Sequence, residues 1–181
     1  MTNRDIVYIA LFAALVAVLG LIPPIPLPFI PVPITAQSLG VMLSGSILGM
    51  KRGGLALLLF LVLVAVGLPL LSGGRGGLGV FLGPSGGFLV AFPLAAAIIG
   101  ALTQRVWGRL NVPLAFGINV LGGVGIIYAV GIPWLAIAAE LPMLRAAQTS
   151  LAFVPGDLVK AVIAALAVVT VKRSFPAIAR S

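Results

Sequence analysis

The sequence predicts an all-α integral membrane protein of six transmembrane helices, a single domain over residues 1–181. Three observations carry this expectation. Of 181 residues, 61% are apolar and only 8% charged, where a soluble domain has about 25% charged residues. Charged residues are absent from 6–50, 53–74, 76–104 and 110–139, and about 20 apolar residues, rising about 1.5 Å each, span the hydrocarbon core as a helix. The short alternating segments of a membrane barrel do not occur.

The elements follow in order. A first helix at 5–21 begins after Arg4. It is longer than the apolar part of a cleaved signal and is followed by equally apolar chain, so it counts as a crossing. Residues 23–33 hold six prolines in eleven positions; with φ fixed and donors missing, they predict an irregular, stiff loop. A second helix at 35–51 and a third at 53–71 meet at a tight turn marked by Lys51 and Arg52. The glycine-rich runs at 72–79 and 83–87 cannot be regular helix, and irregular backbone at membrane depth is tolerated only where protein or a cavity covers it. A fourth helix at 85–104 leads through Arg105, Arg109 and Asn111 into a fifth at 112–132. A broken stretch at 133–155 precedes the last helix at 153–172, which ends at Lys172 and Arg173.

Six crossings put Arg4, Lys51, Arg52, Arg105, Arg109, Lys172, Arg173 and Arg180 on one side, eight of the eleven cations. Arg75 and Arg145 fall on the other side, and Lys160 inside a span. The positive-inside rule then places both termini in the cytoplasm of a multi-pass protein of the inner (plasma) membrane, with the long irregular loops outside.

Composition also excludes function classes. Without cysteine or histidine there is no disulfide framework, no thiolate or imidazole metal site and no ordinary general base. A membrane enzyme such as an acyl- or phosphotransferase would lack acid/base and metal groups, since Glu140 alone does not suffice. No enzyme, metal or cofactor is expected. The net charge of +8 punctuates apolar segments and forms no solvated basic surface for nucleic acid. Gly74-x-Gly76-x-x-Gly79 has no βαβ unit around it and is a chance match. The chain lacks a Walker motif, so an ATP-driven process would need a partner.

Asp157 and Lys160 are the strongest candidates for a site. Three residues apart, they project from one helix face, just after Pro155-Gly156 at the outer end of the last span, where the helix dipole favours a carboxylate. They suit either a plain intrahelical ion pair or, since ionisable groups inside membranes usually mark function, a ligand offering both donors and acceptors. Arg75, in the outer glycine loop, is either a solvated cation or a ligand contact. Gln37 and Trp134 are weaker pocket candidates, Trp134 competing with a role as interfacial anchor. Ala10 and Ala14, repeated in register by Ala13 and Ala17, give the first helix a small-residue face for close helix approach, within the chain or to a partner.

The chain also resembles a known family. Pro33-Ile34-Thr35-Ala36-Gln37 followed by Leu39-Gly40-Val41, then Lys51-Arg52-Gly53, Gly67-Leu68-Pro69, the Gly73 to Gly79 loop, Gly83-Pro84-Ser85-Gly86-Gly87 and Pro155-Gly156-Asp157-Leu158-Val159-Lys160-Ala161 look like BioY, the biotin-specific S component of energy-coupling-factor (ECF) vitamin transporters. The resemblance runs in order over essentially the whole chain. Ser85 departs from the threonine common there but keeps the hydroxyl. The resemblance implies six helices, a biotin pocket near the outer face, and as partners a transmembrane coupling protein with two cytoplasmic ATPases. It carries ligand binding to Asp157 and Lys160 and coupling-protein docking to Ala10 and Ala14. Asp157 would accept from a ureido N–H, Lys160 would donate to the ureido carbonyl or the valerate, and Arg75 would meet the carboxylate. The rival reading is a self-sufficient secondary transporter or channel, which would need an ion relay, yet only Asp157 and Lys160 lie within a span.

Overall fold

A computed structural model describes residues 1–174; Arg180, counted above among the cations of one side, lies outside them. Helix α1 covers Asn3–Leu19, α2 Gln37–Ala65, α3 Gly79–Leu82 and α4 Gly86–Arg105. After them come α5 (Val112–Val120), α6 (Ile127–Ala138), α7 (Met143–Ser150) and α8 (Val154–Ser174). Among the described residues, four helical stretches are each long and apolar enough to cross a membrane: Gln37–Ala65, Gly86–Arg105, Val112–Ala138 and Met143–Ser174.

The start of α1 is a reciprocal capping box: Thr2 N–H donates to the Asp5 carboxylate at 2.7 Å, and Asp5 N–H to the Thr2 hydroxyl. Asp5 also pairs with Arg52, tying this end of α1 to the middle of α2. Along α1, Ala13 is buried against the bundle, whereas Ala10 and Ala14 are exposed.

The tight turn expected at Lys51 and Arg52 is instead a break at Gly49, whose φ of 81° and ψ of −174° interrupt α2 within its run. That φ lies where a side chain is strained. Met50 N–H, left without its helical acceptor, donates to the Gln104 side chain at 3.2 Å. At the same point α4 crosses by backbone contact, because a Cβ on Gly100 would sit 2.3 Å from the Gly49 carbonyl carbon. Small residues permit this approach in apolar surroundings.

Three further expectations need correction. The proline-rich segment is not irregular: Ile25–Leu27 (β1) and Ile30–Ile34 (β2) form an antiparallel hairpin pairing Ile25 with Ile34 and Leu27 with Ile30. Among the described residues the fold is therefore helical apart from this ribbon and one isolated bridge between Leu71 and Arg75. Pro26, Pro31 and Pro33 alternate with Ile25, Leu27, Ile30, Val32 and Ile34, so the missing donors recur at every second position, as an isolated two-stranded edge allows. Pro133 does not end the fifth helix but lies inside α6; membrane helices tolerate interior proline where neighbouring groups satisfy the backbone. The stretch beyond it is largely ordered as α7, too short for its apolar period to show in sequence, and a 3₁₀ turn at Leu151–Phe153.

Asn111 caps α5 by accepting from Leu114 N–H at 2.9 Å. A π-helical turn at Leu121–Ile126 then joins α5 to α6. Two of its glycines, Gly122 and Gly123, lie where a Cβ would strike Ile99 and Met42. The wide turn lets the rod pass tightly over α4 and α2 beside the site.

Candidate functional site

The beginnings of α2, α4 and α8, the π turn and the top of α6, together with strand β2, surround one cavity of about 640 Å³ counted out to its open mouth. Four of the five ligand-contact residues expected from sequence line it: Asp157, Lys160, Arg75 and Gln37.

Asp157 and Lys160 form the polar floor. Pro155 and Gly156 open α8, placing Asp157 in its first turn, where the positive helix end favours a carboxylate. Asp157 is 5% exposed. One carboxylate oxygen accepts from Lys160 Nζ at 2.8 Å and from Ser38 Oγ at 3.0 Å, and the other accepts from the Tyr128 hydroxyl at 2.7 Å. Lys160 also donates to Thr35 O at 2.6 Å and to Ser38 Oγ at 2.9 Å, so all three ammonium protons are engaged. The pair is thus an intrahelical ion pair and also one wall of a cavity. Its charges are satisfied by groups from α2, α6 and α8, so a ligand would exchange hydrogen bonds with this network and would not meet bare charges.

Above the floor the cavity is aromatic. Phe88, Tyr128 and Phe153 meet edge to face, with centroids 6.3, 6.1 and 6.4 Å apart. Such packing holds the rings rigid and gives an apolar wall for a ring-shaped ligand. The hairpin residues Val32 and Ile34 close the side toward the loops.

Arg75 is exposed at the mouth, its Nε donating to Ser72 O at 3.3 Å. Its loop is a tight turn: Leu71 N–H donates to Arg75 O at 3.0 Å and Gly74 N–H to Leu71 O at 2.9 Å, with Gly73 and Gly74 at φ of 80° and 69°. Gln37 lines the cavity, but its amide is committed elsewhere: Nε2 donates to Val16 O at 3.2 Å and Leu70 O at 3.0 Å, and Oε1 accepts from Ser72 N–H at 3.2 Å. It fastens the Arg75 loop to α1 and α2. Trp134 is not brought to the cavity. Its indole donates to Gly83 O at 3.0 Å, and its side chain covers Gly86 and Gly87, so it braces the turn that delivers Ser85 and Phe88.

Ser38, Thr35 and the two phenylalanines were not singled out by sequence as contacts, and Tyr128 stood out only as a polar aromatic candidate that also suited an interfacial anchor. Thr35 carried a readable signal, because it lies within the Pro33 to Gln37 motif, and Ser38 falls between that motif and Leu39-Gly40-Val41.

The BioY family model matches residues 1–177. A biotin transporter BioY of Rhizobium etli is 51% identical over 92% of this chain and 91% of its own length. A probable biotin transporter BioY of Bacillus subtilis is 49% identical over 94% and 91%. Among solved structures, the S-component for biotin from an ECF-type ABC transporter superposes with a TM-score of 0.91 at 36% identity, covering 96% of this chain and 95% of that one.

Proposed function

We propose, from the premise that this chain belongs to the BioY family, that it holds biotin in the cavity of Asp157 and Lys160 and delivers it to an ATP-driven partner. The chain takes up biotin as the S component of an ECF-type transporter and is not an enzyme. The observation that carries the site reading is the charged floor beneath an aromatic wall.

The chemistry of biotin fits that division. Its ureido ring offers two N–H donors and a carbonyl, and its thioether ring is apolar. A ureido N–H replaces the Tyr128 or Ser38 hydroxyl as donor to Asp157, and the ureido carbonyl takes a Lys160 proton. The thioether ring lies against Phe88, Tyr128 and Phe153, and the valerate runs toward Arg75 at the mouth. Because the network already satisfies its own groups, each exchanged neutral bond contributes only about 0.5–1.5 kcal/mol and a charge-assisted one about 1.5–3 kcal/mol. Two or three of these with ring burial reach the nanomolar range, about −12 kcal/mol.

Our reading of the topology is six crossings with both termini cytoplasmic, in the inner membrane. The break at Gly49 supports it by dividing α2 into two helices, and the grouping of cations at one end supports the orientation. The partners are then a transmembrane coupling protein and two ATPase subunits, with the exposed Ala10 and Ala14 as the docking face. Uptake of labelled biotin into vesicles, with and without those partners and ATP, tests this. Accumulation should require both additions. Equal accumulation by the chain alone would favour a self-sufficient transporter instead.

A further inference from the structure

We propose that the end of the bundle away from the biotin cavity holds the phosphate of an anionic phospholipid headgroup. Lys172 lies fifteen residues beyond Asp157 on α8, roughly 22 Å along the helix. Here α5 and α8 leave a recess of about 510 Å³, counted out to its open mouth, lined by Leu110, Asn111, Val112, Val169, Lys172 and Arg173. The polar side chains of this recess favour an anion, while the carbonyl end of α8 beside them is offset by Lys172 and Arg173 in its last turn. Lys172 Nζ donates to Gly108 O at 3.2 Å and Leu110 O at 3.0 Å, which fixes it at the rim with one proton left to donate. The Asn111 oxygen is taken by Leu114 N–H, which leaves its amide protons as donors, and the N-terminus of α5 adds its positive end.

No carboxylate neutralises this end among the described residues. Asp5 pairs with Arg52 and Asp157 with Lys160, while Glu140 follows α6 at the far end of the 27-residue rod that Asn111 begins. Arg173 is exposed and has no ion-pair or hydrogen-bond partner among the described residues, and Arg105 and Arg109 stand exposed on the same end. The rest of the lining, Leu110, Val112 and Val169, is apolar, and Leu166 lies exposed farther along α8. A phosphodiester with acyl chains attached meets both surfaces, whereas an inorganic anion meets only the charges. Basic pockets at the ends of membrane helices bind anionic headgroups by this combination. The proposal rests on the membrane reading of the chain and not on its ligand.

The test is thermal unfolding of the full chain in neutral detergent, titrated separately with phosphatidylglycerol, phosphatidylcholine and sodium phosphate. Phosphatidylglycerol should raise the midpoint saturably, and the other two should not. Arg173→Gln should weaken that lipid about fivefold and K172Q/R173Q about twenty-five-fold, near one charge's contribution each, with biotin binding retained as the check on folding. Equal stabilisation by phosphatidylcholine would overturn the proposal. So would stabilisation by inorganic phosphate alone, which would mark a site for small anions, or an unchanged lipid affinity in R173Q.

Discussion

Replacing Asp157 with asparagine keeps the side-chain size and removes the charge and one acceptor. The carboxylate accepts from Tyr128, Ser38 and Lys160 at 2.7, 3.0 and 2.8 Å, whereas an asparagine offers one oxygen and an amide that can only donate. Biotin must therefore give up a charge-assisted bond worth about 1.5–3 kcal/mol, so its dissociation constant should rise about ten- to hundredfold. Lys160, whose side chain is 14% exposed, loses its counter-charge but keeps Thr35 O and Ser38. The loss of stability should therefore fall below the roughly 3–5 kcal/mol of a fully buried pair. Calorimetric titration of biotin into detergent-purified protein reads the first effect and thermal unfolding the second. Adding Lys160→Gln alone and in combination completes a cycle, and a coupling of about 0.5–3 kcal/mol is expected for residues in one network. Wild-type affinity in D157N, with the protein folded, would refute the placement of the ureido ring on this pair.

Four other outcomes follow from the same geometry. Arg75→Gln should weaken biotin about fivefold at low salt and less at high salt, because Arg75 is exposed and screened; biotin methyl ester should bind both proteins alike. Trp134→Phe should lower the unfolding midpoint by losing a hydrogen bond worth about 1 kcal/mol, with biotin affinity nearly unchanged in calorimetry, because Trp134 itself does not line the cavity and a phenylalanine ring still covers Gly86 and Gly87. Gly100→Ala should destabilise the protein by about 1–3 kcal/mol in thermal unfolding, since the new Cβ would meet the Gly49 and Met50 backbone at 2.3 and 2.4 Å. Large side chains at Ala10 and Ala14 should leave biotin binding intact and abolish co-purification with the coupling partner.

The sequence revealed the parts that break a rule and hid those that obey one. Asp157 and Lys160 stood out because charges inside an apolar span are rare, and they do line the cavity. Ser38, Tyr128 and Phe153 are ordinary residues for a membrane helix, and only folding brings α2, α6 and the start of α8 together around Asp157. Gln37 shows the converse. It reached the cavity as expected, but its amide holds the Arg75 loop in place. At the end of the second helix, Lys51 and Arg52 drew the turn toward themselves, while the actual break lies at Gly49, where a positive φ and the contact with Gly100 coincide. In the proline-rich loop, missing donors suggested irregularity, yet their alternate spacing is compatible with a hairpin.

A crystal structure of the chain grown with biotin tests the account most directly. The ureido ring should lie within hydrogen-bond reach of Asp157 and Lys160, its fused ring against Phe88 and Phe153, and its carboxylate toward Arg75. Biotin held in the opposite sense, or outside this cavity with the Asp157 network unaltered, would contradict it.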